Sequence, residues 1–489
     1  MDNLTMIQYF EWYLPEDKTL WRRCTAQAKR LARFGLNMVW LPPAYKGANG
    51  VRDVGYAVYD TYDLGEFDQK GSVETKYGSK KDYLTAIKSL QDAGISVLAD
   101  VVLNHRIGAD GLENTQATET DFNNRFESTS AEHPVSVWTR FDFEGRHNAY
   151  SDFKWNWTHF SGTDWDEATK RQAILQFHGK DWDKNVDSEH GNYDFLMGAD
   201  LDMSNPEVDA ELNRWGKWYL DTTGVDGFRL DAVKHIDSSF YAKWLSDMRA
   251  YRGNDFFTVG EYWTPETDKL LAYLDHTGHC MSLFDAPLHF HFHDASCADG
   301  NYDLGSLFSN TLAERDGYHA VTFVDNHDTQ PGQALQSPVA AWFKPLAYGL
   351  ILLNEKGVPC VFYGDLYGMP HENMPPVARL PRLIFLRKIA AYGYQHDYFD
   401  DQNVVGFTRE GDTEHPDSGL AMLISDKAGG EKVMYVGRQF SGQRFYDCTE
   451  HCWESVEIDA EGCGTFRVLG GSISVWVTLP VYERVQIET

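Results

Sequence analysis

Eight short apolar runs recur along the chain with helix-like segments between them, and this alternation constrains the fold more than any other feature. The runs are IQYF (7 to 10), NMVWLPP (37 to 43), ISVLADVVLNH (95 to 105), VDGFRLDAVKH (225 to 235), FFTVGEYW (256 to 263), HCMSLFDAPLH (279 to 289), HAVTFVDNHD (319 to 328) and VPCVFYGD (358 to 365). The segments between them have readable ends. Asn205 is a cap residue and Pro206 suits a first helical position; Val208, Leu212, Trp215 and Tyr219 then share a face until Gly224 stops the helix. Ser79 and Gly94 bracket another helix, with Leu84 and Ile87 expected on its inner face. Eight strand and helix units predict an α/β chain closed into a (β/α)8 TIM barrel.

Two stretches break the rhythm. The third and fourth runs stand about 120 residues apart, where a simple unit needs about 30. Residues 104–206 are therefore expected to form an inserted, irregular, β-rich domain. After about residue 397 the pattern becomes short alternating runs such as VVGFTRE, LAMLISD, KVMYVG and SISVWVTL, which predict a C-terminal antiparallel β-sandwich. The barrel is thus assigned to 1–103 and 207–396, and the sandwich to 397–489.

The run GFRLDAVKH is apolar except for Arg229 and Asp231. Side chains two apart on a strand share a face, so the two charges can pair. A pair buried for stability alone is a poor device, because desolvating both ions costs about what their attraction returns. Other strand ends supply more such groups: Asn104 and His105, Lys234 and His235, Glu261 and Trp263, His327 and Asp328. Barrel enzymes carry their chemistry at the C-terminal ends of the strands. Three carboxylates converging there meet the demands of glycoside hydrolysis, which needs an acid for the departing oxygen and a carboxylate for the anomeric carbon.

The segments DVVLNH, GFRLDAVKH, GEYW and FVDNHD resemble, in order and separation, the four signature regions of the alpha-amylase family of glycoside hydrolases. MIQYFEWY, VWLPPAYKG, DVGYAVYDTYDLGEF, YSDFKWNW, GNYDFLMGADLD and TFVDNHDTQPGQ extend the resemblance over nearly the whole chain, toward the bacterial liquefying members. The resemblance implies endo-acting, retaining hydrolysis of α-1,4-glucosidic bonds in starch, glycogen or maltodextrins. Asp231 is then the nucleophile, Glu261 the acid and later base, and Asp328 the third carboxylate that grips sugar hydroxyls. Arg229 should hold Asp231 ionised, and Glu261, near two carboxylates, should have its pKa raised. Tyr56 resembles the aromatic platform under the cleaved sugar, and His105 and His327 the hydroxyl-binding histidines. Lys234, His235, Trp263 and Gln333 match further substrate contacts. Chloride-dependent members follow NHD with an Arg that completes an anion site; here Pro331 stands in its place, so activity without chloride is expected.

The same resemblance implies a metal. Asn104, Asp194, Asp200 and the backbone oxygen of His235 match the family's principal calcium site, and hard oxygen ligands suit Ca²⁺. Liquefying members add a sodium and a second calcium. This chain keeps Asp183 and Asp202 but has Ser161 and Ser204 where further carboxylates are expected. One tight calcium is therefore expected, with a sodium near Asp183.

Lys and Arg total 44 against 73 Asp and Glu, a net charge of −29. Such a surface repels phosphate backbones and anionic lipid, so neither nucleic acid nor membrane is an expected partner. No run approaches the roughly 18 apolar residues of a membrane span. Seven dispersed cysteines (24, 280, 297, 360, 448, 452, 463) without CxxC spacing suggest free thiols, and MDNLTMIQYFEWY has no basic-then-apolar leader. A cytoplasmic monomer is the expectation. Two alternatives remain from the motifs: an α-glucan transglycosylase using the same intermediate, and a non-catalytic carbohydrate-binding protein, which would be expected to have lost a catalytic carboxylate.

Overall fold

The computed structural model describes residues 3–488; residues 1, 2 and 489, the outermost ends of the first and last predicted domains, lie outside the described residues. All eight apolar runs contribute one strand each to a closed parallel barrel: Met6–Gln8, Met38–Leu41, Ser96–Val101, Gly227–Leu230, Phe257–Gly260, Ser282–Phe284, Ala320–Phe323 and Val358–Phe362. Each strand pairs with its neighbours in sequence, and the first closes on the eighth. The strands are shorter than the runs, because the last residues of several runs leave the ladder to form the barrel's upper mouth. Between the third and fourth strands, Arg229 lies directly beside Asp100.

The outer helices follow their caps. Pro206–Thr223 begins at Asn205, whose side chain accepts the Glu207 N–H at 2.9 Å, and ends at Gly224 in the left-handed region. Val208, Leu212, Trp215 and Tyr219 are buried as expected. Lys80–Asp92 starts at Ser79, whose hydroxyl accepts the Asp82 N–H. Its buried face is Tyr83, Ala86, Ile87 and Leu90; Leu84, expected inside, is half-buried at the margin. The large Tyr83 ring takes the inner position and bonds Tyr219 through its hydroxyl at 2.7 Å.

The insertion is more regular than its sequence suggested. It is a six-stranded antiparallel sheet running from His105–Arg106 to Ala199–Leu201, with these two short strands paired at one edge. Entry and exit are thus tied together, with Asp200 opposite His105. The C-terminal region starts slightly earlier than assigned, at the strand Gln395–Tyr398, and holds a six-stranded antiparallel sheet. A two-stranded antiparallel sheet of Gly429–Tyr435 and Cys463–Leu469 packs over it through Leu423, Met434, Phe466 and Trp476. The helix Leu479–Glu488, which the alternating pattern did not announce, closes the domain by burying Val481 and Val485. Among the described residues, no helix is long and apolar enough to cross a membrane.

Candidate active site and cation cluster

Arg229 is fully buried and sits at the hub of the upper mouth. Its Nη1 donates to Asp231 Oδ1 at 2.6 Å and to Asp100 Oδ1 at 2.9 Å, and its Nη2 donates to Glu261 Oε2 at 2.6 Å. One guanidinium therefore serves three carboxyls. The fourth and fifth strands end side by side, so the backbone N–H of Glu261 bonds the Leu230 carbonyl and delivers its side chain next to Asp231. The chain turns sharply after Asp231, with Ala232 in the left-handed region.

Burial, the largest influence on each, drives these acids upward. Asp231 rises to about 6, with Arg229 opposing the shift and Asp100 adding to it. Arg229 is expected to hold Asp231 ionised; burial outweighs the ion pair in setting the value, yet at about 6 Asp231 is still anionic at neutral pH. Glu261 is raised as expected, but burial is the first cause, with Arg229 opposing and Asp231 adding to the rise. Asp328 is raised well above the usual range by burial and then by Glu261.

Asp231, Glu261 and Asp328 line one cleft of about 250 Å³, together with Tyr56, His105, Lys234, His235, Trp263 and Gln333. Two assigned substrate contacts do not reach its surface. Arg229 and His327 lie underneath, shielded by the groups they orient. Gln8 donates from its amide to His327 Nδ1 at 3.0 Å, which places the ring proton on Nε2, 3.2 Å from Asp328 Oδ2. Burial lowers the His327 pKa strongly, so this donor is neutral. The ring stacks against Tyr56 at 4.9 Å, and Tyr56 in turn lies parallel to Trp12. His105 is held by the Tyr56 carbonyl through Nε2 at 2.8 Å, and burial lowers its pKa to about 4. His235 bonds the Tyr193 carbonyl, Lys234 bridges Glu189 and the Trp263 carbonyl, and Gln333 donates to Tyr13.

Sequence reasoning missed several members. Trp12, Tyr193, Leu196, Met197 and Leu335 also wall the cleft. Asp100 is the most consequential omission: buried, it accepts from Trp40 Nε1 at 2.9 Å and Tyr56 OH at 2.7 Å besides Arg229. A lone Asp inside an apolar parallel strand was the available signal, since a buried charge needs a partner.

The second constellation lies at the seam between barrel and insertion. Asp194 and Asp200 are buried, and Asp183 nearly so. Asp194 accepts the Asp183 N–H at 3.0 Å, and Asn104 donates to Asp200 Oδ1 at 3.3 Å. Burial and mutual repulsion push Asp194 and Asp200 well above the usual range, and Asp183 up to about 7. Asp200 Oδ2 has no hydrogen-bond partner, and no Lys, Arg or His forms an ion pair with Asp194 or Asp200 among the described residues. Buried carboxyls without a cation in direct contact fit a bound hard cation. Asp202 differs: Lys180 Nζ and the Ser204 hydroxyl, each at 2.6 Å, already satisfy it.

Comparisons agree with this architecture. Residues 23–404 match the alpha amylase catalytic domain, and residues 420–477 the alpha-amylase C-terminal domain. The chain is 55% identical over 478 residues to an alpha-amylase of Geobacillus stearothermophilus, covering 97% of this chain and 87% of that one. It is 44% identical over 492 residues to the cytoplasmic alpha-amylase of Escherichia coli (strain K12), covering 98% and 99%. A crystal structure of an Anoxybacillus alpha-amylase shares the fold, with a TM-score of 0.64 at 18% identity, covering 98% of this chain and 97% of that one.

Proposed function

The chain belongs to the alpha-amylase family of glycoside hydrolases, and from that membership we propose that it cleaves internal α-1,4-glucosidic bonds of starch, glycogen or maltodextrins with retention of configuration. Asp231 attacks the anomeric carbon while Glu261 gives its proton to the departing glycosidic oxygen, leaving a glycosyl ester on Asp231. Glu261, now anionic, takes a proton from water as the water oxygen attacks the same carbon; the ester breaks and both groups return to their starting states. Asp328, with neutral His327 behind it, grips sugar hydroxyls, and Tyr56 supplies a flat face beneath the ring.

The observation that carries the retaining mechanism is the shared guanidinium. Asp231 and Glu261 each bond Arg229 at 2.6 Å and lie within reach of one another. Retaining pairs need a separation of about 5–5.5 Å, too small for an intervening water. NMR of the first products from maltoheptaose should show α-anomers before mutarotation, and Glu261→Gln should abolish reducing-sugar release. Initial β-anomers would overturn retention, and dominant transfer products on amylose would favour a transglycosylase.

One tight calcium ion is assigned to Asn104, Asp194, Asp200 and the backbone oxygen of His235, supported by the orphaned Asp200 oxygen and the uncompensated carboxyls around it. When bound, it supplies the positive charge these groups lack and ties the insertion to the barrel beside Asp231. A sodium ion beside Asp183 follows from the same charge argument. The enzyme is assigned to the cytoplasm, acting as a monomer on soluble glucans. Seven free thiols and the likeness to the cytoplasmic alpha-amylase of E. coli support the compartment, and the net charge of −29 supports the monomer.

A further inference from the structure

The barrel's lower face, opposite the cleft, carries a constellation that glycoside hydrolysis does not use. His279 leads into the sixth strand, and Asp316 and His319 lead into the seventh. One ligand atom from each, two imidazole nitrogens and a carboxylate oxygen, lies within 4.8 Å of the others. Asp316 Oδ2 is 2.7 Å from His319 Nδ1 and 4.0 Å from His279 Nδ1. The two rings lie 4.8 Å apart, centroid to centroid.

We propose that His279, Asp316 and His319 form a structural binding site for a borderline divalent transition-metal ion, zinc being the probe that fits, with water as the fourth ligand. Two imidazoles and a carboxylate are a donor set that suits Zn²⁺ and excludes the oxygen-seeking calcium of the seam.

Three observations support it. First, the outer nitrogen of His279, Nε2, is 3.1 Å from Asp275 Oδ1. That contact engages Nε2 and turns Nδ1 inward toward Asp316, the carboxylate–histidine arrangement that orients metal-binding imidazoles. Second, the backbone is built to hold the ligands. The His279 N–H bonds the Leu274 carbonyl at 2.8 Å, the Asp316 N–H bonds the Leu312 carbonyl at 2.7 Å, and the His319 carbonyl accepts the Leu283 N–H at 2.9 Å. His319 is therefore tied to the very strand that follows His279. Third, His279 sits at a φ of 53°, in the left-handed region that a histidine adopts only at a cost. The turn follows Gly278, itself left-handed, and brings the ring to Asp316.

Such an ion would staple two helix-to-strand loops under the barrel and would take no part in the reaction. The test is calorimetric titration of the calcium-loaded enzyme with zinc chloride, calcium being kept in excess throughout. Wild type should bind one zinc tightly, with a rise in melting temperature and unchanged starch hydrolysis. His279→Asn, which keeps a residue tolerant of the left-handed turn, and His319→Ala should each abolish that binding while leaving the zinc-free melting temperature and activity near wild type. Asp275→Asn should weaken it about tenfold. Absence of a stoichiometric zinc in wild type, or its persistence in the His279→Asn/His319→Ala double variant, would overturn the proposal. Paired imidazolium–carboxylate contacts alone would give the first of these results.

Discussion

At the scale of single residues, the behaviour of the cleft follows from three carboxyls sharing one guanidinium. Asp231 must be anionic to attack, and burial brings its pKa to about 6. As pH falls through about 6, the attacking form is titrated away, and kcat/KM should drop about tenfold per pH unit below it. Glu261 must keep its proton, and its raised pKa extends the active range upward. A pH profile with its acid limb centred near 4 would show that Arg229 dominates over burial. Asp100 touches no substrate, yet it fixes both Arg229 and Tyr56. Asp100→Asn should therefore lower kcat by about 10²-fold with KM little changed, the signature of misplaced reacting groups. Removing Asp100 to alanine takes one of three carboxyl partners from Arg229 and leaves the Trp40 and Tyr56 donors without their acceptor, and should also cost about 1–3 kcal/mol of stability. The catalytic carboxyls were legible because they end strands in motifs. Asp100 was not, because it lies within the apolar stretch whose end drew attention, and only the parallel register sets it beside Arg229.

Elements decide how the insertion is held. Its entry and exit strands pair with each other, which sets Asp200 beside Asn104 and crowds buried carboxyls at the seam. Without a cation these groups prefer to be protonated. Asp183 moves from 3.8 to about 7 on folding, and Asp194 and Asp200 also move up. Because the folded values exceed the unfolded ones, the calcium-free protein binds more protons folded than unfolded. The associated stability is fully present below about pH 4 and is lost as pH rises toward about 7. Calcium reverses the preference by favouring the anions. The melting temperature in a calcium chelator should consequently fall steeply between these pH values, and the gap to the calcium-loaded enzyme should widen. A constant gap would refute the seam carboxyls as ligands. Metal analysis after dialysis against calcium-free buffer should return one calcium per chain, because Lys180 and Ser204 already satisfy Asp202; two would contradict this. The barrel strands were legible since each is a buried apolar run. The insertion's strands were not. A long strand such as GLENTQATET carries few apolar residues, and its partner strand supplies the apolar ones, Val135, Val137 and Trp138.

The whole molecule is a strongly anionic body built around a neutral-ligand site. With a net charge of −29, two copies repel, and the field at the surface extends about 10 Å at 0.1 M salt. A charged substrate would feel that field; an α-glucan does not. Raising ionic strength at constant calcium should therefore leave kcat/KM on soluble maltodextrin within about twofold, whereas steered association falls steeply with salt. The choice of anion should not matter either. Arg229, buried under the cleft, is already bonded to Asp100, Asp231 and Glu261, and Pro331 occupies the position where an anion site would need a second Arg. Sodium chloride and sodium acetate at matched ionic strength should then give the same turnover. A selective rise with chloride would mean that Arg229 retains unpaired charge, contrary to its three contacts. Sedimentation under the same conditions should return the 55.8 kDa of one chain at low salt, where repulsion is strongest. The more demanding measurement is at high salt, because screening removes the repulsion there. A monomer that persists in high salt would mean that no complementary apolar face was being held apart by charge alone, and dimerisation there would overturn the assignment of a single-chain enzyme.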